Sequence, residues 1–166
     1  RRKSGGGCVY SDKGNIMLSY ITDTTDVAAA FEKYLDELSG YLSATGVNAY
    51  KSGRNDVMID GKKVSGNAFF LKPQSSIVHG TMLFDTDFDA LERAITPSGA
   101  KIQSKGVSSV RQHVTNLKPL YEKLDSPLRN IDLFKLYLKK CFCSEGETID
   151  EIVLSDAQIA DIEEIE

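Results

Sequence analysis

The chain has 166 residues, 41% of them hydrophobic, and a formal net charge of −4. This is enough for one domain with its own core, and the acidic balance gives no support to bulk nucleic-acid binding. No apolar run approaches the length of a membrane span, and three cysteines without a CxxC pair or a signal peptide indicate a reducing, cytoplasmic setting.

Charge is concentrated at the two ends of the chain. Residues 1–20 carry four basic side chains and one carboxylate, whereas residues 147–166 carry eight carboxylates and no Lys or Arg. A basic start in an acidic protein predicts a local anion site. Because the chain opens on Arg1-Arg2 beside a glycine-rich turn and closes on an acidic helical pattern, we expect it to be a fragment.

The first third of the chain is predicted to contain two strands and one long helix. Residues 8–10 indicate a short strand, and residues 15–22 alternate as a second strand does. Residues 26–45 repeat apolar side chains at helical spacing. Asp26 is the predicted N-cap of this helix and Gly46 its C-terminal stop.

A series of short strands is predicted next, each bounded by turn residues. Their ranges are 47–50, 56–60, 63–65, 68–71 and 77–84. Asp60-Gly61 is a strong hairpin signal between two of them. Residues 88–95 predict a short helix that stops before Pro97, and residues 98–115 predict a long polar loop of the kind that often carries function.

The last third is predicted to be mainly helical. Pro127 is expected to begin a helix with Ile131, Phe134, Leu138 and Phe142 on one side. Residues 149–154 indicate a late strand, and a final helix follows Ser155 as N-cap. Strands precede helices without strict βαβ alternation, which predicts an α+β fold with a mixed or antiparallel sheet flanked by helices.

The glycine-rich stretch at the start is a candidate ligand loop. Three successive glycines weaken a fold unless the backbone approaches a ligand closely and presents its N–H groups. Arg1, Arg2 and Lys3 stand beside Ser4-Gly5-Gly6-Gly7 and suit an anion. A flexible surface turn is the alternative, but the basic triplet and the following strand favour a charged, phosphate-bearing ligand. The stretch is neither a Walker loop nor GxGxxG.

Asp56 and Lys63 form a second candidate site, because they could face one pocket across the predicted hairpin. Asp56 could hold Mg²⁺, which takes a few carboxylates together with phosphate oxygens. Lys63 could place its charge on an anionic phosphorus centre. Spacing alone favours the alternative that Lys62-Lys63 is a solvated hairpin edge.

The remaining polar motifs carry weaker signals. His79 lies in an apolar strand, where a lone histidine is more often a satisfied core residue than a ligand or base. Neither it nor His113 has a metal-ligand partner at useful spacing. Lys101, Lys105 and Arg111 lie in the long loop, which could close over a nucleotide or be an ordinary exposed loop.

Cysteine chemistry is not indicated. Cys8 follows the glycines directly, but no activating base is evident, so a small buried side chain is favoured over a nucleophile. Cys141 and Cys143 end a predicted helix and are interpreted as structural.

Taken together, six stretches resemble the lipoate–protein ligase family of the biotin/lipoate ligase fold group. Three are Arg1-Arg2-Lys3-Ser4-Gly5-Gly6-Gly7-Cys8-Val9-Tyr10, Asp12-Lys13-Gly14-Asn15 and Gly53-Arg54-Asn55-Asp56. The others are Lys63-Val64-Ser65-Gly66-Asn67-Ala68, His79-Gly80-Thr81-Met82-Leu83, and Lys105-Gly106-Val107-Ser108-Ser109-Val110-Arg111 with Val114-Thr115-Asn116-Leu117. They occur in the family's order and spacing across roughly residues 1–117. Ser11 stands where the family usually has His, and His113 where it usually has Arg.

The resemblance implies a two-step ligation. Lipoate, the substrate, attacks the α-phosphate of Mg·ATP to give lipoyl-AMP and pyrophosphate, and a lysine of an acceptor protein then displaces AMP. The implied acceptors are lipoyl domains of 2-oxoacid dehydrogenase complexes and the glycine-cleavage H protein, with no nucleic-acid or membrane partner.

The resemblance also assigns roles to individual residues. Lys63 matches the catalytic lysine that contacts the mixed-anhydride and phosphate oxygens, and Asp56 matches the magnesium side. The residues that it places around the lipoyl chain and the adenylate are Arg2, Ser4, Gly5, Gly6, Gly7, Asn15, Asn55, His79, Lys105 and Arg111.

The extent of the match implies a partial catalytic domain over residues 1–166. The family carries a preceding segment that supplies strands of the same sheet and part of the lipoate pocket. A tryptophan-containing motif and often a small C-terminal domain follow, and this chain has no Trp. We therefore expect these residues alone to fold poorly and turn over little.

Three alternatives stay open at this point. An ATP-independent octanoyl or lipoyl transferase of the same fold would use a cysteine thioester. Biotin ligation would use the same fold with another acid. A non-catalytic lipoyl-binding module would account for the departures at Ser11 and His113.

Overall fold

The computed structural model describes residues 9–53, 55–95, 113–143 and 152–164. Within them a five-stranded sheet has the strand order β1-β5-β4-β3-β2, and every neighbouring pair is antiparallel. The strands are β1 (Asn15–Thr22), β2 (Ala49–Lys51), β3 (Asp56–Ile59), β4 (Lys62–Lys72) and β5 (Ser75–Leu83). The helices are α1 (Val27–Ala44), α2 (Phe88–Ile95), α3 (Lys118–Lys123), α4 (Ile131–Phe142) and α5 (Asp156–Glu163), with a 3₁₀ turn at Pro127–Arg129. The prediction of an α+β fold is confirmed, and its sheet is antiparallel.

Helix α1 covers one face of the sheet, here called the helix face. Asp26 caps the helix by accepting a hydrogen bond from the Ala29 backbone N–H at 3.1 Å, and Gly46 follows its end with φ +94°. Both predictions for these two residues are confirmed. Leu38 and Leu42 are fully buried in a core shared with sheet residues and with α4, and each such leucine stabilises the fold by about 1.5–3 kcal/mol.

The opposite side of the sheet is called the far face. Strand alternation and the β1–β5 register place Met17, Ser19 and Ile21 there, beside Thr81 and His79 of β5. Met17 and Ile21 are 60% and 68% exposed. The two faces of β1 therefore differ sharply, since the helix face carries the core and the far face is accessible along this strand.

The β3–β4 hairpin turns at the predicted dipeptide. Asp60 and Gly61 have φ of 48° and 78°, and positive φ at both central residues is the signature of a type I′ turn. The sequence predicted two strands after this turn, at 63–65 and 68–71, but the structure has one continuous β4. Gly66 and Asn67, which suggested a break, pair with Thr81 and Gly80 of β5.

Three other element predictions need correction, and one helix was missed. Val9 and Tyr10 lie in no strand, and residues 152–154 are not in regular structure. Helix α3 was not predicted. Pro127 begins only a 3₁₀ turn, because the side chain of Asn130 caps α4 one residue before Ile131. Cys8, residues 98–112 and residues 149–151 lie outside the described residues.

The other described strands and helices lie within two residues of their predicted bounds. Strand β1 and helix α2 have the expected bounds, and α5 begins after a capping box between Ser155 and Gln158. Across the described ranges, no helix is both long and apolar enough to cross a bilayer.

Candidate functional site

A β-bulge determines which way Lys63 points. Val57 pairs with Ser65 and Met58 with Lys63, so Val64 has no partner across the hairpin. Val64 and Ser65 are both buried, with 0% and 1% exposure, whereas regular alternation would put them on opposite faces. The bulge takes up the extra residue and so keeps Lys63 on the far face, a known use of bulges beside functional sites.

On the far face, Lys63 meets Asp56 over Gly66. The distance between Lys63 Nζ and Asp56 Oδ1 is 3.3 Å, and Asp56 pairs directly with Gly66. A Cβ added to Gly66 would lie 3.0 Å from Lys63 Nζ and 3.7 Å from Asp56 Oδ1. The missing side chain of Gly66 therefore leaves the space that the ion pair occupies.

The ion pair leaves the carboxylate with spare capacity. Although Nζ is close, it is not aligned to donate a hydrogen bond, and Asp56 Oδ1 accepts none from any described residue. The side chains of Lys63 and Asp56 are 40% and 26% exposed, and such pairs contribute about 0–1 kcal/mol to stability. The pair is thus poorly explained as a stabilising contact, and Oδ1 is a buried oxygen that has no hydrogen-bond partner among the described residues.

Two asparagines hold the start of β3 against β4. Asn67 donates to the Asn55 carbonyl from its backbone N–H and from Nδ2, both at 3.0 Å. Asn55 Nδ2 donates back to the Asn67 carbonyl at 2.7 Å. We call this reciprocal arrangement the amide clamp. It lies next to Asp56 in the chain.

The segment after the long loop also reaches the site. The Thr115 N–H donates to the Lys63 carbonyl at 2.9 Å, and Val114 forms a parallel bridge with Lys63. Asn116 exchanges two hydrogen bonds with the backbone of Thr86, at 3.1 and 2.9 Å. These contacts bring two motifs that are distant in sequence to the same end of the sheet.

The structure brings together only some of the predicted site residues. Lys63, Asp56 and Asn55 are adjacent, and the amide nitrogen of Asn55 is engaged by the clamp. His79 is half-buried on the far face, where it pairs with Ala68 and Ser19. His79 is not among the buried residues of the core.

Asn15 lies at the start of β1 and lines a separate cavity. Its Oδ1 accepts a hydrogen bond from the Asp12 N–H at 2.9 Å, and its Nδ2 has no partner among the described residues. It lines an apolar cavity of about 530 Å³ between β1 and α4, with Tyr34 and Phe142. Neither Lys63, Asp56 nor His79 lines this cavity.

Seven of the predicted binding residues lie outside the described part of the chain. They are Arg2, Ser4, Gly5, Gly6, Gly7, Lys105 and Arg111. Their roles stay predictions, as does the assignment of Asn15, Asn55 and His79 to ligand binding.

Metal binding depends on few ligands here. Within the described ranges, no group of three or more His, Cys, Asp or Glu side chains could hold a metal ion. A magnesium ion that takes most of its ligands from phosphate and water needs only one or two carboxylates. The unbonded Oδ1 of Asp56 fits that requirement.

Sequence reasoning assigned no role to three residues that shape the site. These are Gly66, Asn67 and Gly80. A glycine inside a strand pattern often marks a bulge or a close approach of backbone, so Gly66 and Gly80 carried a usable signal. The bulge at Val64 has no such signal in the sequence, because a bulge also depends on the partner strand.

Comparison with known proteins agrees with this architecture. A family model described as the lipoyl protein ligase A/B catalytic domain matches residues 1–142. Lipoate–protein ligase 1 of Staphylococcus aureus is 38% identical over 167 residues, covering 99% of this chain and 49% of the relative. The chain thus spans about half the length of the curated relatives it matches.

Solved structures show the same fold. A chain from an archaeal lipoylation system of Thermoplasma acidophilum, a bipartite lipoate–protein ligase with its E2 lipoyl domain, superposes with a TM-score of 0.75 at 26% identity, covering 99% of this chain and 64% of that one. A lipoate–protein ligase A bound with ATP gives 0.71 at 24% identity, covering 99% and 65%. By its sequence and its fold, the chain belongs to the lipoyl protein ligase A/B catalytic domain family.

Proposed function

We propose that this chain forms part of an ATP-dependent lipoate–protein ligase. The complete protein activates lipoate as lipoyl-AMP and transfers the lipoyl group to a lysine of an acceptor protein. The observation that carries the proposal is the Lys63–Asp56 pair over Gly66, which a bulge directs to the far face. Membership of the ligase family supports it.

In the first step the lipoate carboxylate attacks the α-phosphorus and pyrophosphate leaves. Negative charge grows on the phosphoryl oxygens as the new bond forms. The ammonium of Lys63 is a compact charge that stabilises these oxygens, and such electrostatic stabilisation is often the largest single contribution to catalysis.

Asp56 would serve the same step as a metal ligand. Its Oδ1 would hold Mg²⁺, which neutralises charge on the ATP phosphates when bound. Because Lys63 lies 3.3 Å from this oxygen, the two side chains together present one positive group and one cation ligand to a phosphate.

In the second step an acceptor lysine attacks the acyl carbon and AMP leaves. The amide bond forms as the bond between the acyl carbon and the phosphate oxygen breaks, so negative charge returns to AMP and the amine releases a proton to solvent. Lys63 would stabilise that charge as well, and no protein nucleophile is required.

The relatives also suggest partners and substrates. One similar structure pairs a lipoate–protein ligase with an E2 lipoyl domain, and another is bound with ATP. We infer that the acceptors here are lipoyl domains of 2-oxoacid dehydrogenase complexes and the glycine-cleavage H protein. Cys141 and Cys143 are both free thiols, which suits the cytoplasmic setting that we propose.

The test is exchange of labelled pyrophosphate into ATP in the presence of lipoate, using the complete gene product. Lys63→Ala should lower the exchange rate by at least about 100-fold, in line with the loss of an electrostatic group at a reacting phosphate. Lys62→Ala is the matched control, because Lys62 is the exposed neighbour on the same strand, and it should keep the wild-type rate.

Each result separates one alternative. If Lys63→Ala keeps full exchange, the catalytic role of Lys63 is wrong. If the wild type shows no lipoate-dependent exchange but moves octanoyl groups between carrier proteins, the protein is a transferase. Exchange that depends on biotin would identify a biotin ligase.

A further inference from the structure

Asn67 is an unusual residue for the centre of a sheet. It lies on β4, between two neighbouring strands, and only 4% of it is exposed. It pairs with Gly80 on the helix face, the side that otherwise carries the apolar core. Because a buried amide is costly unless it is hydrogen-bonded, its presence in this row calls for an explanation.

Both ends of the side-chain amide are hydrogen-bonded. Nδ2 donates to the Asn55 carbonyl at 3.0 Å, and Oδ1 accepts from the hydroxyl of Ser65 at 3.3 Å. With the two further bonds of the amide clamp, Asn55 is tied to Asn67 by three hydrogen bonds.

The clamp fixes the residue that precedes Asp56. Strand β3 has four residues and begins at Asp56, and strand ends fray unless something holds them. On the side of β4, the ladder alone would leave Asp56 as the last paired residue, whereas its N–H and C=O bond to Ser52 on the other side. The clamp extends the attachment by one residue, so the backbone on both sides of Asp56 is held to β4.

Strand β5 is adapted to the same arrangement. Gly80 lies directly opposite Asn67, and a Cβ at this position would overlap Asn67 Oδ1. It would also lie 2.7 Å from the Gly66 carbonyl oxygen. Gly80 therefore gives the amide its space.

We propose that Asn67 is a positioning residue for adenylation, which holds Asp56 against Lys63 through Asn55. Asn67 lies on the helix face and the ion pair on the far face, so its effect passes through the backbone of β3. The inference rests on the proposed function only in assigning catalysis to the Lys63–Asp56 pair. The contact itself can be measured without any substrate.

The experiment compares how fast an amine-reactive acetylating reagent modifies Lys63 and Lys62 in the complete protein. Peptide mass spectrometry gives the ratio of the two rates, with Lys62 as the internal reference. Asn67→Ala should raise the Lys63:Lys62 ratio about three- to fivefold, because the loosened ion pair protects Lys63 less. The rate of lipoate-dependent pyrophosphate exchange should fall in parallel.

Two further variants distinguish positioning from a general loss of stability. Asp56→Asn should raise the ratio on its own, and Asn67→Ala in that background should add nothing, because groups acting through one contact are not additive. Asn48→Ala is the matched control. Its Nδ2 donates to Asp60 Oδ1 at 3.2 Å at the other end of β3, and it should change neither readout.

The outcomes are decisive in both directions. An Asn67→Ala protein that melts earlier but keeps the wild-type Lys63:Lys62 ratio would overturn the positioning role. A further rise of the ratio when Asn67→Ala is added to Asp56→Asn would overturn it as well. If Asn67→Ala does not fold, Asn55→Ala removes the clamp bond from Asn55 Nδ2 to the Asn67 carbonyl and must raise the ratio. A wild type without pyrophosphate exchange would contradict the proposed function, while the labelling ratio would still test the contact.

Discussion

At the scale of single residues, the site depends on an atom that Gly66 lacks. Asp56 and Lys63 come from two strands and approach each other across its Cα. Gly66 is not among the described glycines with positive φ, which are Gly46 and Gly61. Its backbone would therefore accept a side chain, and what excludes the side chain is the space that Lys63 occupies.

Gly66→Ala should consequently impair the site more than the fold. The added methyl group would lie 3.0 Å from Lys63 Nζ and 3.1 Å from Cε, and the flexible lysine must move away. We expect pyrophosphate exchange to fall by roughly 10- to 100-fold, because displacements of about 1 Å at reacting groups have effects of that size. Thermal melting of the complete protein should change little.

Unchanged exchange in the Gly66→Ala protein would show that Lys63 acts from another position. A large drop in melting temperature would show instead that the strand cannot accept the methyl group. Gly40→Ala is a suitable reference, since nothing lies within 4 Å of the position that its Cβ would take.

Residue chemistry predicted part of this site from the sequence. Asp56 and Lys63 could be paired because a carboxylate and an ammonium flank a predicted hairpin, and they do lie 3.3 Å apart. The side of the sheet on which they meet could not be predicted. That side depends on the bulge at Val64, and a bulge is a property of two strands together.

At the scale of elements, three predictions that rest on local sequence signals were right, whereas one that long-range strand pairing decides was wrong. The bounds of β1, α2 and the N-cap of α1 followed from alternation, helical spacing and capping chemistry. Strand β4 was divided in two because Gly66 and Asn67 have low intrinsic strand preference. Pairing with β5 overrides that preference.

The prediction of a late strand was wrong at residues 152–154 for the opposite reason. Ile152 and Val153 are β-branched, yet they are 87% and 86% exposed and lie in no strand. A strand needs a partner for its backbone groups, and composition does not reveal one. Helix α3 was missed because it has only six residues, too few to show a helical period.

Helix α1 offers a direct test of element stability. Gly40 lies inside this helix and is exposed, with no atom near its missing Cβ. Gly40→Ala should stabilise the protein by about 0.5–1 kcal/mol, because alanine loses less backbone entropy in a helix. Urea unfolding of the complete protein measures the gain. A loss of stability would mean that α1 is not helical at this position.

At the scale of the whole molecule, buried phenols link the helices to the core. Tyr121 of α3 is fully buried, and its hydroxyl lies 2.9 Å from Thr45 Oγ1 at the end of α1. Burial raises the pKa of Tyr121 from 10.0 to about 12. Burial also raises the pKa of Tyr34, which is 1% exposed.

These shifts predict alkaline unfolding. A phenol with a raised pKa stays neutral in the folded state, while it ionises in the unfolded chain above about pH 10. The stability linked to this pKa difference is complete below pH 10 and is lost as the pH rises through about 12. For Tyr121 it amounts to about 2–3 kcal/mol. Stability should therefore fall between pH 8 and pH 11.

Tyr121→Phe isolates one phenol. At pH 8 it should cost about 1 kcal/mol, since the hydrogen bond with Thr45 is lost. Between pH 8 and pH 11, the free energy of unfolding of the Tyr121→Phe protein should fall by about 1 kcal/mol less than that of the wild type. Urea unfolding at both pH values gives the comparison, and Tyr50→Phe, at an exposed phenol of β2, is the control. An identical pH slope in the Tyr121→Phe protein would contradict the expectation.

The bulge at Val64 has a consequence for how this strand can change over time. Loss of the Val64 codon would remove the extra residue and restore regular alternation, and Lys63, then two positions from Gly66, would stay on the far face. The bulge therefore adds a buried side chain to the core without changing the side on which Lys63 meets Asp56. A complete protein that lacks Val64 should melt earlier than the wild type but still show lipoate-dependent pyrophosphate exchange. A folded protein without exchange would contradict this.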